Sequence, residues 1–178
     1  PPYAIMDLHP TIGPVTGATP IQITGIDFVN TKDVIVRFSS KRGTIDVHGE
    51  YKSSTQLVCT TPDFSSYPAG EVEVRVALNN DSFTTTSQVY TFFAVTSAQQ
   101  SLMFGPELLS GGACNEETMF VIQARDNLNA NRTTGGDEFS ISIRLLGGGE
   151  DGDDLQLRSG VQVRDKDDGS YHVSFTAP

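Results

Sequence analysis

Cysteine is scarce in this chain of 178 residues: Cys59 and Cys114 stand in different halves, with no CxxC pair and no Cys/His cluster. That spacing disfavours a disulfide framework and leads us to expect two reduced thiols in a non-secreted protein. His9, His48 and His172 are scattered, without the His-x-x-x-His spacing of a zinc site. Basic side chains are also short: 12 Lys and Arg stand against 22 Asp and Glu, for a formal charge of −10. Residues 1–94 hold six basic and nine acidic side chains, and residues 95–178 hold six and thirteen. A surface of that sign repels phosphate backbones and anionic bilayers, which excludes nucleic acid as the expected partner and leaves basic proteins or cations. No apolar run is long enough to cross a membrane. The opening residues, PPYAIMDLHP, have neither the basic start nor the apolar stretch of a secretory signal, so localisation stays open on that count.

Helical periodicity is almost missing too, and what replaces it is two-residue alternation. In GEVEVRVALNN, Val72, Val74, Val76 and Leu78 face one way while Glu71, Glu73 and Arg75 face the other, which predicts a strand with one buried face. Similar runs are TPIQITG, DVIVRF, TQLVCTTP, QVYTFF, MFVIQARD, EFSISIRL, GVQVRD and SYHVSF, with Gly, Pro, Asn and Asp in the gaps. With 37% hydrophobic residues and ten Phe spread along its length, the chain is too apolar for disorder. The alternation stops over AVTSAQQSL and restarts after GPELLSGG. The expected fold class is therefore all-β: two tandem immunoglobulin-like antiparallel β-sandwiches over 1–94 and 103–178, joined by a linker at 95–102.

The order of GPVTGATPIQITGIDF, DVIVRF, LVCTTP and GEVEVRVALNN resembles the IPT or TIG immunoglobulin-like domain over residues 3 to about 94. In the second half, GPELLSGG, then FVIQARDNLNANRTTGGDEFSISI, then VQVRDKDDGSYHVSFTAP resembles a filamin-type repeat. Asp168-Gly169 is also a good hairpin turn on its own chemistry. Two departures stand out against that family: it continues with two more strands, so the second sandwich is expected to lack its last strands, and LGGGEDGDDLQLRSG is longer and more acidic than the usual connection. The tandem order is similar to the tail of algal flagellar outer-arm dynein heavy chains.

Catalysis has little support. Residues 135–139 spell Gly-Gly-Asp-Glu-Phe, the signature of cyclic-dinucleotide synthases, but that chemistry needs a helical domain and a further metal-binding Asp upstream. We expect instead that Gly135 and Gly136 form a turn, that Phe139, Ile141 and Ile143 line the inward face of a strand, and that Asp137 and Glu138 lie in solvent. There is no Gly-x-Ser-x-Gly elbow, no Cys near a His partner and no phosphate-binding loop. His172, alternating with Tyr171 and Val173, is expected to face solvent or an edge. The clusters Glu150, Asp151, Asp153, Asp154 and Asp165, Asp167, Asp168 do not fit the twelve-residue calcium loop, so calcium is disfavoured and no cofactor or metal is expected. Two sequons, Asn80-Asp81-Ser82 and Asn131-Arg132-Thr133, matter only if the protein is secreted.

These readings imply a non-enzymatic structural and protein-interaction segment of a larger chain. Sandwich edges accept an added strand, and the filamin resemblance implies such peptide binding. The candidate edge is Phe139, Ser140, Ile141, Ser142, Ile143, Arg144 and Leu145, with specificity from Glu150, Asp151, Asp153 and Asp154. The dynein resemblance implies an axonemal tail scaffold bound to other dynein subunits or axonemal proteins, in the cytoplasm of a cilium or flagellum. The alternative is an extracellular adhesion or gamete-recognition ectodomain. DNA binding is disfavoured because SSKRGT supplies only Lys41 and Arg42.

Overall fold

The structure, a computed structural model, describes residues 2–79, 82–106, 108, 115–145, 155–157 and 160–176, with side chains left undescribed at 144, 145 and 155–157. The chain divides into two compact units, Pro1–Val95 and Thr96–Pro178.

The first unit is built from β1 (Ala4–His9), β2 (Ile12–Pro14), β3 (Pro20–Ile26), β4 (Val34–Ser39), β5 (Thr44–Ser53), β6 (Gln56–Thr60), β7 (Gly70–Leu78) and β8 (Gln88–Phe93). They run in the order β1-β3-β6-β5-β4-β7-β8-β2. The two layers share β5, whose first residues, Thr44 to His48, pair with β4 and whose later residues, Gly49 to Ser53, pair with β6. A strand that changes sheets in this way turns the corner of a sandwich. β1 pairs antiparallel with β3 and, after the cis His9–Pro10 peptide, β2 pairs parallel with β8.

Alternation places the core as the sequence predicts. Val72, Val74 and Val76 of β7 are buried while Glu71 and Glu73 are exposed, and β3 and β4 repeat the pattern through Ile21, Ile23, Val34, Val36 and Phe38. Between the layers lie Phe38, Phe64, Tyr90 and Phe92, with the Phe64 and Phe92 rings stacked at 4.9 Å and Tyr90 edge-on to Phe92 at 5.0 Å. Phe64 comes from the β6–β7 connection and is held there by its N–H donating to the Val15 carbonyl at 2.7 Å. Burial of each such side chain contributes roughly 1.5–3 kcal/mol. Cys59 is a free thiol in the same core. The sheet edges offer little to another chain: a bulge at Met6 interrupts β1, and β2 has three residues of which one is Pro14.

The second unit contains β9 (Leu102–Phe104), β10 (Glu117–Gln123), β11 (Ile143–Leu145), β12 (Leu155–Leu157), β13 (Gln162–Asp165) and β14 (Ser170–Thr176). One sheet has the order β13-β14-β10-β9, and among the described residues β11 pairs only with β12. Phe120, Ile122, Ala124, Tyr171 and Val173 form its buried cluster, with Phe139, Ile141, Val161 and Phe175 packed against it. Register places Met103 opposite Ile122 and Val163 opposite Val173, on the inward face, yet they are 64% and 40% exposed. The cluster is thus covered less fully than that of the first unit.

Candidate interaction surfaces

The Gly135–Phe139 stretch is irregular chain fastened to the β13–β14 hairpin. Asp165, the last residue of β13, accepts the Gly136 N–H on Oδ2 at 2.7 Å and the Asp167 N–H on Oδ1 at 2.8 Å. A Cβ at Gly135 would lie 2.3 Å from both Asp165 carboxylate oxygens, so only glycine allows this approach. Next along the chain, the Asp137 N–H donates to the Tyr171 hydroxyl at 2.9 Å, and that hydroxyl donates to Asp137 Oδ2 at 3.0 Å. Burial pushes the Tyr171 phenol above its ordinary value. Asp137 is therefore half-buried and bonded, not free in solvent as the sequence suggested, while Glu138 is exposed as expected. The five letters serve to dock this irregular segment onto the hairpin.

From that anchor the chain runs on with alternating exposure. Phe139 and Ile141 are half-buried against the second core, and the Phe139 ring meets Tyr171 edge-on at 4.7 Å. Ser140 and Ser142 are exposed. Only Ile143, Arg144 and Leu145 are strand, paired with Leu157, Gln156 and Leu155, so the predicted strand over 139–145 is shorter than the sequence pattern. Among the described residues no hydrogen bond ties the main chain of Phe139–Ser142, and the side of β11 away from β12 has no strand beside it. This stretch thus runs beside the apolar cluster with no main-chain partner among the described residues. Glu150, Asp151, Asp153 and Asp154 lie outside the described residues, as does Cys114.

The other acidic cluster serves local turns. Asp168 Oδ1 accepts the Ser170 hydroxyl at 2.6 Å and its N–H at 2.9 Å, which holds the Asp168 carboxyl below its usual range. Among the described residues no three His, Cys, Asp or Glu side chains converge as a metal site. His172 is half-buried on the outer face of the four-stranded sheet, opposite Arg164, in the interior strand β14. Beside it, Phe104, Met119, Phe120 and Val121 line an open apolar depression of about 370 Å³ that alternation did not reveal. On the first unit, Val89 and Phe93 of β8 and Ile12 of β2 share a face and are 49%, 45% and 53% exposed. Asp165 and Tyr171, which hold Gly136 and Asp137 in place, were also missed as a pair; their only sequence signal is the Asp-x-x-Asp-Gly-x-Tyr run that predicts the hairpin.

Residues 2–92 match the IPT/TIG domain and residues 95–178 the Filamin/ABP280 repeat. The chain is 35% identical over 179 residues to the "Dynein alpha chain, flagellar outer arm" of Chlamydomonas reinhardtii, covering 100% of this chain and 4% of that protein. It is 24% identical over 144 residues to "Dynein heavy chain-like protein 2" of Plasmodium falciparum (isolate 3D7), covering 80% and 3%. It is also 29% identical over 133 residues to human "Plexin-A3", covering 69% and 7%. The chain thus spans a small fraction of the length of the curated relatives it matches. Among solved structures, the Plexin A4 extracellular region, domains 1 to 8, aligns at a TM-score of 0.39 and 15% identity, over 98% of this chain and 15% of that one.

Proposed function

The chain belongs to the IPT/TIG domain family, with a filamin-type repeat in tandem after it, and on that premise we propose that it is a non-catalytic structural and protein-interaction segment of a large multidomain chain, a tail scaffold or docking region of an axonemal outer-arm dynein heavy chain. The observation that carries this reading is the 35% identity to the flagellar dynein alpha chain across the whole of both modules, in the same order. ATP hydrolysis belongs to another region of such a parent, since this segment has no phosphate-binding loop. Within the segment, the free edge at Phe139–Ser142 and its continuation through Leu145 is the docking surface for an extended peptide, and the acidic run at Glu150, Asp151, Asp153 and Asp154 selects for a basic one.

The test is recovery of the native parent with an antibody raised to this fragment, followed by mass spectrometry of its size, glycosylation and companions. A very large chain without glycans at Asn80 and Asn131, arriving with tubulin and dynein subunits, is the expected result. A glycosylated chain recovered from membranes would sink the reading in favour of an adhesion ectodomain. That second reading draws on the plexin similarity and on the exposed Asn131 of the second sequon. Asn80, in the first, lies outside the described residues.

A further inference from the structure

The last core residue of the first unit and the first bonded residue of the second are neighbours in the chain. Val95 packs against the first core, and Thr96 forms an antiparallel bridge with Asp126. The Ser97 N–H then donates to the Arg125 carbonyl at 2.8 Å. From there the segment closes on itself: the Ser101 N–H and hydroxyl both donate to the Ser97 carbonyl, at 3.0 and 2.8 Å, and the Gln100 N–H donates to it at 3.2 Å. The Ser101 Oγ also accepts the Arg125 N–H at 3.1 Å, so one hydroxyl joins the turn to the end of β10. Its seat is fixed in turn. Asp126 Oδ1 accepts the N–H groups of Leu128 and Ala130, at 2.9 and 3.0 Å, and the Arg125 side chain donates to the Asn129 and Asn131 side chains, both at 2.8 Å.

We propose that residues 96–101 are a clamp and not a linker: a turn built on Ser97 and Ser101 that seats the chain's entry into the second unit on Arg125, so that these residues fold as part of that unit. The composition, TSAQQS, is that of a flexible connection. Its two serines are nevertheless committed to main-chain hydrogen bonds, and residues so committed cannot contribute slack. A free linker can be drawn out to a span of about 3.3–3.6 Å per residue. Here the hydrogen bonds of Ser97 and Ser101 take up that reserve within the second unit.

The experiment is ¹⁵N relaxation and amide hydrogen exchange on the 178-residue chain, comparing wild type with Ser101→Ala and Ser101→Thr. The expected wild-type heteronuclear NOE values at Ser97–Ser101 equal those of β10 and β14. Ser101→Ala should lower them and speed exchange at Arg125 and Ser101 about tenfold, and Ser101→Thr, which keeps the hydroxyl, should restore both. Wild-type values as low as those of a free chain end would overturn the proposal. So would exchange at Arg125 that is the same in Ser101→Ala as in wild type. If Ser101→Ala unfolds the unit, the wild-type NOE values alone decide the matter.

Discussion

Two residues tie local chemistry to measurable stability. Cys59 lies in the first core, where burial pushes its thiol from an ordinary 9.0 up to about 12. In the unfolded chain the thiol ionises near 9, so between those values the unfolded state binds fewer protons than the folded one. Stability contributed by the neutral thiol is therefore complete below pH 9 and falls, by roughly 1.4 kcal/mol per pH unit, as pH rises towards 12. Urea midpoints of the first unit, compared between wild type and Cys59→Val from pH 8 to 10.5, should diverge above pH 9, with only wild type losing this part of its stability. Parallel curves would mean the thiol is not buried as described. Tyr171→Phe addresses the other unit. It removes the acceptor of the Asp137 N–H and the donor to Asp137 Oδ2 in a half-buried place, which should cost about 1–3 kcal/mol. Chemical shifts of Gly135 to Phe139 would report the released segment, and unchanged shifts would count against the anchor.

At the scale of elements, strands whose residues keep a plain period of two were legible, among them β13 with no fully buried residue, and several others were not. β7 alternates between buried valines and exposed glutamates, so a period of two was enough to find it. β5 is ten residues long and keeps Ile45, Val47, Gly49 and Tyr51 on the side towards the core, but only Gly49 is fully buried, so its contrast between half-buried and exposed positions is weak. β1 loses its period at the Met6 bulge, and β2, β9 and β12 have three residues each, too few to show one. The reverse error is more informative. EFSISIRL alternates as a strand should, and its exposure alternates too, yet only Ile143–Leu145 is paired. Alternation reports which side chains face a core; it does not supply a neighbouring strand for the main chain. That gap is why the pattern did not show that Phe139–Ser142 has no strand paired to it, and why the fastening of this stretch through Asp165 and Tyr171, distant in sequence, was not legible at all. Replacing Glu150, Asp151, Asp153 and Asp154 by Ser should weaken binding to a basic partner and flatten its salt dependence, measured by titration at two ionic strengths. Equal affinity and salt dependence in both proteins would remove the acidic run from the docking surface.

For the whole molecule, the difference between the two cores decides how it unfolds. The first unit joins nineteen buried apolar residues from both layers into one cluster, while among the described residues the second gathers five. Each fully buried side chain contributes roughly 1.5–3 kcal/mol before conformational entropy is set against it, and that opposing entropy scales with length, which is similar in the two units. Inward-directed Met103 and Val163 remain 64% and 40% exposed, so even residues aimed at the second core return only part of that gain. The chain should therefore depart from two-state behaviour in urea, with the second unit opening first. Amide signals followed residue by residue would show β10 and β14 losing dispersion at a lower urea concentration than β4 and β7. Phe38→Ala should shift only the later transition, by about 3–5 kcal/mol, and Val173→Ala only the earlier one. A single transition, coincident for all four strands and moved as a whole by either substitution, would mean that the two modules share their stability despite having separate cores.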